Sequence, residues 1–216
     1  MNGIKYCHKS ETEPEMERDY VSIEKVYDVN VKIQNVVATL DIFTHINLED
    51  ITGKLPQQID TRYEPKRFPG IILKFQKPAH PYKCSILLFS TGKAVIVGMQ
   101  STDMIHIVKK DIVRILKDCG VEITRVPEAK IVNIVASGSL GRQIDLKLTS
   151  VLLESCMYEP EQFPGLIYRM KVPKTVILLF KSGNIVCTGA KSDAMVAESV
   201  KKLEKELDEL GAFIPD

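Results

Sequence analysis

Short apolar runs alternate with polar clusters along the chain, and two longer stretches switch to a helical period. Ile71-Ile72-Leu73, Ile86-Leu87-Leu88-Phe89 and Ala94-Val95-Ile96-Val97 are β-branched or aromatic runs of strand type. The third follows Gly92 as the returning arm of a hairpin, and Asn184-Ile185-Val186-Cys187-Thr188, after Gly183, is its copy. Val196, Val200, Leu203, Leu207 and Leu210 step by four and three, which puts them on one helix face. Ser192 or Asp193 can cap that helix, and Gly211 closes it. Ile105, Val108, Ile112 and Ile115 or Leu116 trace a second helix, ending at Gly120.

The pattern is written twice. Ile33-Gln34-Asn35-Val36-Val37-Ala38 returns as Ile131-Val132-Asn133-Ile134-Val135-Ala136, 98 residues on. Tyr63-Glu64-Pro65-Lys66-Arg67-Phe68-Pro69-Gly70 returns as Tyr158-Glu159-Pro160-Glu161-Gln162-Phe163-Pro164-Gly165 at an offset of 95. Leu87-Leu88-Phe89 with Thr91-Gly92 returns as Leu178-Leu179-Phe180 with Ser182-Gly183 at 91, an offset that Gly98 and Gly189 keep. Repeat one is therefore three residues longer before its Phe-Pro-Gly and four longer after it, most simply in Gln76 to Lys83, where Pro78 and Pro81 suit a loop. A unit this long is no solenoid repeat. It reads as two α+β halves, each strand, short helix, strands and long helix, joined into one sheet, with Val121 to Ala129 as linker. The expected divisions are an acidic and flexible segment over 1–25, repeat one over 26–121 and repeat two over 122–216.

Composition excludes more than it assigns. The 216 residues are 44% hydrophobic and 26% charged, a globular balance rather than a disordered one. No apolar run approaches the roughly 18 residues of a membrane helix, and Met1 to Ser10 has no apolar stretch of the signal-peptide kind. Five cysteines without a CxxC read as reduced thiols, and four histidines without an HExxH give no metal site. The net charge of +1 hides an asymmetry. Residues 1–25 hold 4 basic and 6 acidic side chains and residues 193–216 hold 3 and 7, leaving 22 against 15 between them. A basic middle with acidic ends fits a polyanionic partner.

Enzyme templates fail. Gly189-Ala190-Lys191-Ser192 breaks the contiguous Gly-Lys-Ser/Thr of a phosphate-binding loop. Gly138-Ser139-Leu140-Gly141 has only the tetrad of an RNA-binding KH loop. No nucleophile elbow and no duplicated carboxylate pair is present. The duplicated residues are Asn, Val, Leu, Phe, Pro and Gly, which supply shape rather than reactivity. One amphipathic helix per half covers one face of a sheet. Phe68, Phe89, Phe163 and Phe180 either complete the core or stand on the other face. An uncovered face of Val, Leu and Phe with one Asn per half suits the DNA minor groove, where A·T pairs offer acceptors and no guanine amino group. Aromatic side chains can wedge between base steps there, and Lys and Arg at the rim neutralise phosphates.

These residues carry a resemblance. Tyr158 to Met170 (YEPEQFPGLIYRM) and Ser182 to Lys191 (SGNIVCTGAK) resemble the TATA-box-binding protein family, and the similarity runs over both repeats, from Val29 to Phe213. It implies a continuous curved antiparallel sheet, a saddle, with helices on the convex face, and a general transcription initiation factor without enzymatic activity or cofactor. By this resemblance Asn35 and Asn133 donate to base acceptors and Thr188 bonds a base edge. Val37, Val95, Val97, Val135 and Val186, with Leu87 and Leu178, pack on the groove floor. Phe68 with Phe89 and Phe163 with Phe180 are wedges, Pro69 and Pro164 touch the groove beside them, and Arg67, Lys74, Thr91, Lys93, Arg169, Ser182 and Lys191 meet phosphates.

The implied partners are A·T-rich double-stranded promoter DNA, transcription factor B or IIB gripping Glu159, Glu161 and Gln162, and the RNA polymerase machinery. Four positions depart from the family pattern. Val97 replaces the Thr matched by Thr188, Asn184 the Lys matched by Lys93, Gln100 the Lys matched by Lys191, and Val132 the counterpart of Gln34. A divergent relative serving a promoter subset, or a saddle that binds mainly protein, is the alternative these departures raise. The short acidic N-terminal segment and acidic C-terminal helix resemble archaeal members, implying a cytoplasmic protein; a eukaryotic member would be nuclear.

Overall fold

In the computed structural model, residues 30–76 and 78–215 are described; the expected acidic segment 1–25 lies outside them. Repeat one runs β1 (Val31–Asp41), α1 (Leu48–Thr52), β2 (Asp60–Tyr63), β3 (Gly70–Phe75), β4 (Cys84–Phe89), β5 (Lys93–Met99) and α2 (Met104–Asp118). Repeat two copies the order as β6 (Glu128–Ser139), α3 (Leu146–Leu152), β7 (Cys156–Met157), β8 (Leu166–Met170), β9 (Thr175–Leu179), β10 (Asn184–Ala190) and α4 (Asp193–Glu209). The strands form one ten-stranded sheet in the order β2-β3-β4-β5-β1-β6-β10-β9-β8-β7. Its seam is the antiparallel pair β1–β6, where Val36 faces Ile134, Asn35 faces Val135 and Val37 faces Asn133. Each of the last two pairs is the other's copy, so a pseudo-two-fold axis passes through Val36 and Ile134.

Alternation sorts the side chains. Along β4 and β5, Ile86, Leu88, Ala94 and Ile96 are buried, while Leu87, Val95 and Val97 between them are half-buried. The buried set shares one core with Val108, Ile112 and Leu116 of α2 and Val196, Val200, Leu203 and Leu207 of α4. Both Ile115 and Leu116 turn inward. Ser192 caps α4 by accepting the Met195 N–H at 3.2 Å, and Asp145 caps α3 by accepting from Lys147 and Leu148 at 3.0 Å. Matching phenols tie sheet to helix: Tyr82 Oη donates to Asp111 at 2.7 Å and Tyr168 Oη to Glu206 at 2.8 Å. Burial pushes both phenol pKa values up. At the helix N-termini Thr102 Oγ1 donates to Asp193 Oδ2 at 3.0 Å, a second tie between the repeats.

The length differences fall where the offsets place them. Residues 76–83 join β3 to β4, whereas 171–174 join β8 to β9. The linker is shorter than the sequence suggested. Glu128 and Ala129 already pair with Asp41 and Leu40 in β6, because extending the seam satisfies their backbone groups.

The two sides of one strand should respond differently to truncation. Ile96, fully buried, should lose about 2–5 kcal/mol on substitution by Ala. Val95→Ala, one residue away on the other face, should cost less than about 1 kcal/mol. Urea unfolding of both variants checks this, and equal losses would mean that both faces are core.

Candidate nucleic-acid interface

The face opposite the helices is built outward from two β-bulges. Val37 of β1 faces both Val97 and Gly98 on β5, and Gly189 is the extra residue of β10 opposite β6. Both glycines have left-handed backbones, φ +89° and +91°, which a side chain would strain. The bulge turns each glycine N–H onto an asparagine. Gly98 donates to Asn35 Oδ1 at 2.9 Å and Gly189 to Asn133 Oδ1 at 2.8 Å. A backbone N–H only donates, so the carboxamide oxygen is fixed there and the NH₂ end is left over. Among the described residues neither Asn Nδ2 has an acceptor.

Around these amides the face is apolar. Val37, Val95, Val97, Val135 and Val186, with Leu87 and Leu178, are all half-buried on this side, and none belongs to the core cluster or to the residues packed on it. Val95 pairs with Leu87 and Val186 with Leu178, forming two rows. Ile72 extends the first row and Ile167 the second, positions that the residue pattern alone does not mark as facing outward. Each row turns polar at the seam: Thr39 and Lys130 follow Val95, and Ser137 and Lys32 follow Val186. Lys32 and Lys130 are exposed and were also missed; outward alternation in β1 and β6 was their only signal.

At each end stands an aromatic pair. Phe68 and Phe89 have ring centroids 5.6 Å apart, and Phe163 and Phe180 are 5.8 Å apart. All four are half-buried, with exposed Pro69 and Pro164 next in the chain. The glycine after each proline is needed for space. A Cβ on Gly70 would lie 2.8 Å from Phe68 Cε1, and one on Gly165 would lie 2.7 Å from Phe163 Cε1 and 3.0 Å from Phe180 Cε1. The turns leading in are matched too: Phe68 N–H donates to Glu64 O at 3.0 Å and Phe163 N–H to Glu159 O at 2.9 Å.

The basic rim splits in two. Arg67 pairs with Glu64 at 3.3 Å and Lys74 with Asp60 at 3.5 Å, both well exposed and therefore easily exchanged. Lys93, Arg169 and Lys191 are exposed and have no ion pair among the described residues. Thr91 and Ser182 sit in the hairpin turns before Lys93 and Asn184. Thr188 is half-buried, its Oγ1 3.4 Å from Asn133 Oδ1. Glu159, Glu161 and Gln162 are exposed in the repeat-two turn, where repeat one carries Glu64, Lys66 and Arg67. The groups with displaced proton affinity are elsewhere. Burial on the helix side pushes the Cys84 thiol up to about 12 and the Cys187 thiol to about 11, so neither is a thiolate nucleophile near neutral pH. Among the described residues no cluster suits a metal ion.

Gly165→Ala should displace the Phe163–Phe180 pair, visible as shifts of their ring resonances by NMR. Gly53→Ala, where an added Cβ meets nothing within 4 Å, should leave those resonances in place. Unchanged Phe163 and Phe180 signals in Gly165→Ala would show that this glycine does not set the wedge.

Comparison with known proteins agrees with this geometry. The family described as "Transcription factor TFIID (or TATA-binding protein, TBP)" matches residues 30–119 and 128–210. The TATA-box-binding protein of Thermococcus kodakarensis is 45% identical over 184 residues, covering 85% of this chain and 93% of that protein. That of Pyrococcus furiosus is 44% identical over 183 residues, covering 85% and 92%. Among solved structures, Methanococcus jannaschii TBP superposes with a TM-score of 0.74 at 38% identity, over 84% of this chain and 99% of that one. Two matched repeats, a shared saddle fold and identity of this extent lead to one conclusion: the chain belongs to the TATA-binding protein family, whose members are transcription factors and not enzymes.

Proposed function

We propose that the protein is a general transcription initiation factor that binds the TATA-box element through the DNA minor groove and kinks it. The supporting observation is an apolar face left uncovered by the described residues, closed at both ends by a phenylalanine pair and carrying at its centre two asparagines whose NH₂ groups have no acceptor among those residues. An A·T minor groove supplies what that face lacks: acceptors at adenine N3 and thymine O2, and a floor without amino groups. Asn35 and Asn133 donate to these acceptors, and Thr188 adds a hydroxyl. Val37, Val95, Val97, Val135, Val186, Leu87 and Leu178 cover the groove floor.

Phe68, Phe89, Phe163 and Phe180, flanked by Pro69 and Pro164, insert at the outer base steps. Unstacking costs a few kcal/mol per step, repaid by the apolar surface the bend brings into contact; such kinking is this family's own hallmark. Arg67, Lys74, Lys93, Arg169 and Lys191 meet phosphates, helped by Thr91 and Ser182. Arg67 and Lys74 exchange Glu64 and Asp60 for them. The acidic turn with Glu159, Glu161 and Gln162 stays outside the groove and offers a basic partner its docking point; transcription factor B or IIB is the occupant, and RNA polymerase follows. An archaeal-type factor of this kind works in the cytoplasm.

Fluorescence-detected binding and bending of a TATA duplex, against a G·C-substituted control and across a salt series, tests the reading. Tight, bending, A·T-dependent binding is expected. Five phosphate-facing cations give a log K against log[salt] slope of about −4.5. Phe163→Ala and Phe180→Ala should reduce bending and weaken binding by at least about tenfold. Salt-sensitive binding without discrimination or bending would overturn the reading and favour a saddle that binds protein.

A further inference from the structure

The two halves of the open face are copies in shape but not in hydrogen-bonding capacity. In repeat two, Asn133 Oδ1 holds the Gly189 N–H at 2.8 Å and has the Thr188 hydroxyl 3.4 Å away. In repeat one, Asn35 Oδ1 holds the Gly98 N–H at 2.9 Å, and the position of Thr188 is taken by Val97. Each half thus turns one NH₂ outward, but only repeat two adds a hydroxyl hydrogen beside it. That hydrogen is loosely held, because 3.4 Å is longer than a normal O–H···O bond. A hydroxyl rotates freely to a better acceptor. Gln34 does not make up the difference beside Val97: one of its two Nε2 hydrogens goes to Ser137 Oγ at 2.8 Å, which holds the amide against repeat two on the Val186 side of the seam.

Resting on the DNA reading above, we propose that repeat two reads base acceptors with one donor group more than repeat one, Asn133 and Thr188 together against Asn35 alone, so that the Val97 half depends more on shape and charge. Thr188 is then a specificity-determining residue and Val97 its silent counterpart. A site whose two halves differ in acceptors is taken in one orientation, with the acceptor-intact half under repeat two. One extra hydrogen bond is worth about fivefold in that choice.

The test uses 3-deazaadenine, which removes the N3 acceptor without adding an amino group. An A·T duplex is made with 3-deazaadenine throughout one half. Orientation is read by energy transfer from a fluorophore joined to the chain's C-terminus, in repeat two, to one on either DNA end. The wild type should place the intact half under repeat two in about five of six complexes. Thr188→Val should bring the split to even, as should Val97→Thr, and the double exchange V97T/T188V should reverse it. An even split in the wild type, or a bias that survives Thr188→Val, overturns the inference while leaving the DNA reading standing. Failure to bind the unmodified A·T duplex in preference to a G·C one overturns the DNA reading itself. Unchanged circular-dichroism spectra and melting temperatures of all variants show that they are folded.

Discussion

A β-sheet has two faces, and among the described residues helices cover only one. That imbalance governs the rest of the structure. Alternation in β4, β5, β9 and β10, broken only at the bulges, sends Leu87, Val95, Val97, Val176, Leu178 and Val186 to the side without helices, where a solvated face would carry mostly polar residues. Folding alone gains little from them there. Their burial has to come from something laid across the sheet, and the helices α2 and α4 hold the sheet in shape before that happens.

Duplication makes the uncovered face long enough to be useful. The seam β1–β6 joins the repeats with backbone hydrogen bonds, so the sheet is continuous across the pseudo-two-fold axis. The axis places one aromatic pair at each end and the two asparagines on either side of the centre. The bulges at Gly98 and Gly189 bend the backbone and aim an N–H at an asparagine oxygen in the same stroke. Fixing the oxygen is what makes each side chain a committed donor, which matters in a groove that presents acceptors. The repeats diverge where symmetry is not required: Lys66 and Arg67 at one turn, Glu161 and Gln162 at the other.

Much of this was legible in the sequence because duplication displays itself. Phe68-Pro69-Gly70 and its copy marked both ends of the face, and the helical stripes of Ile112 and Leu203 marked its covered side. The apolar run Ile71-Ile72-Leu73 could not say which residue faces out, since no polar neighbour breaks the tie. Only the pairing of Ile72 with Leu87 decides it. The same holds for Lys32 and Lys130, whose place beside Ser137 and Thr39 depends on cross-strand register. The contact between Asn133 and Gly189, 56 residues apart, follows from a bulge that no local pattern announces. The linker is shorter than its residue pattern suggests because the backbone pairing of Glu128 and Ala129 leaves no mark on residue type.

The central claim is that an apolar face waits for an apolar cover, and the heat capacity of binding measures this most directly. Burial of apolar surface gives a negative heat-capacity change, whereas purely ionic association with phosphates does not. Calorimetric titration of an A·T-rich duplex at several temperatures should give a binding enthalpy that falls steeply as temperature rises. A heat-capacity change near zero, with binding that disappears as salt is added, would show that the Val and Leu rows stay uncovered and would contradict the account.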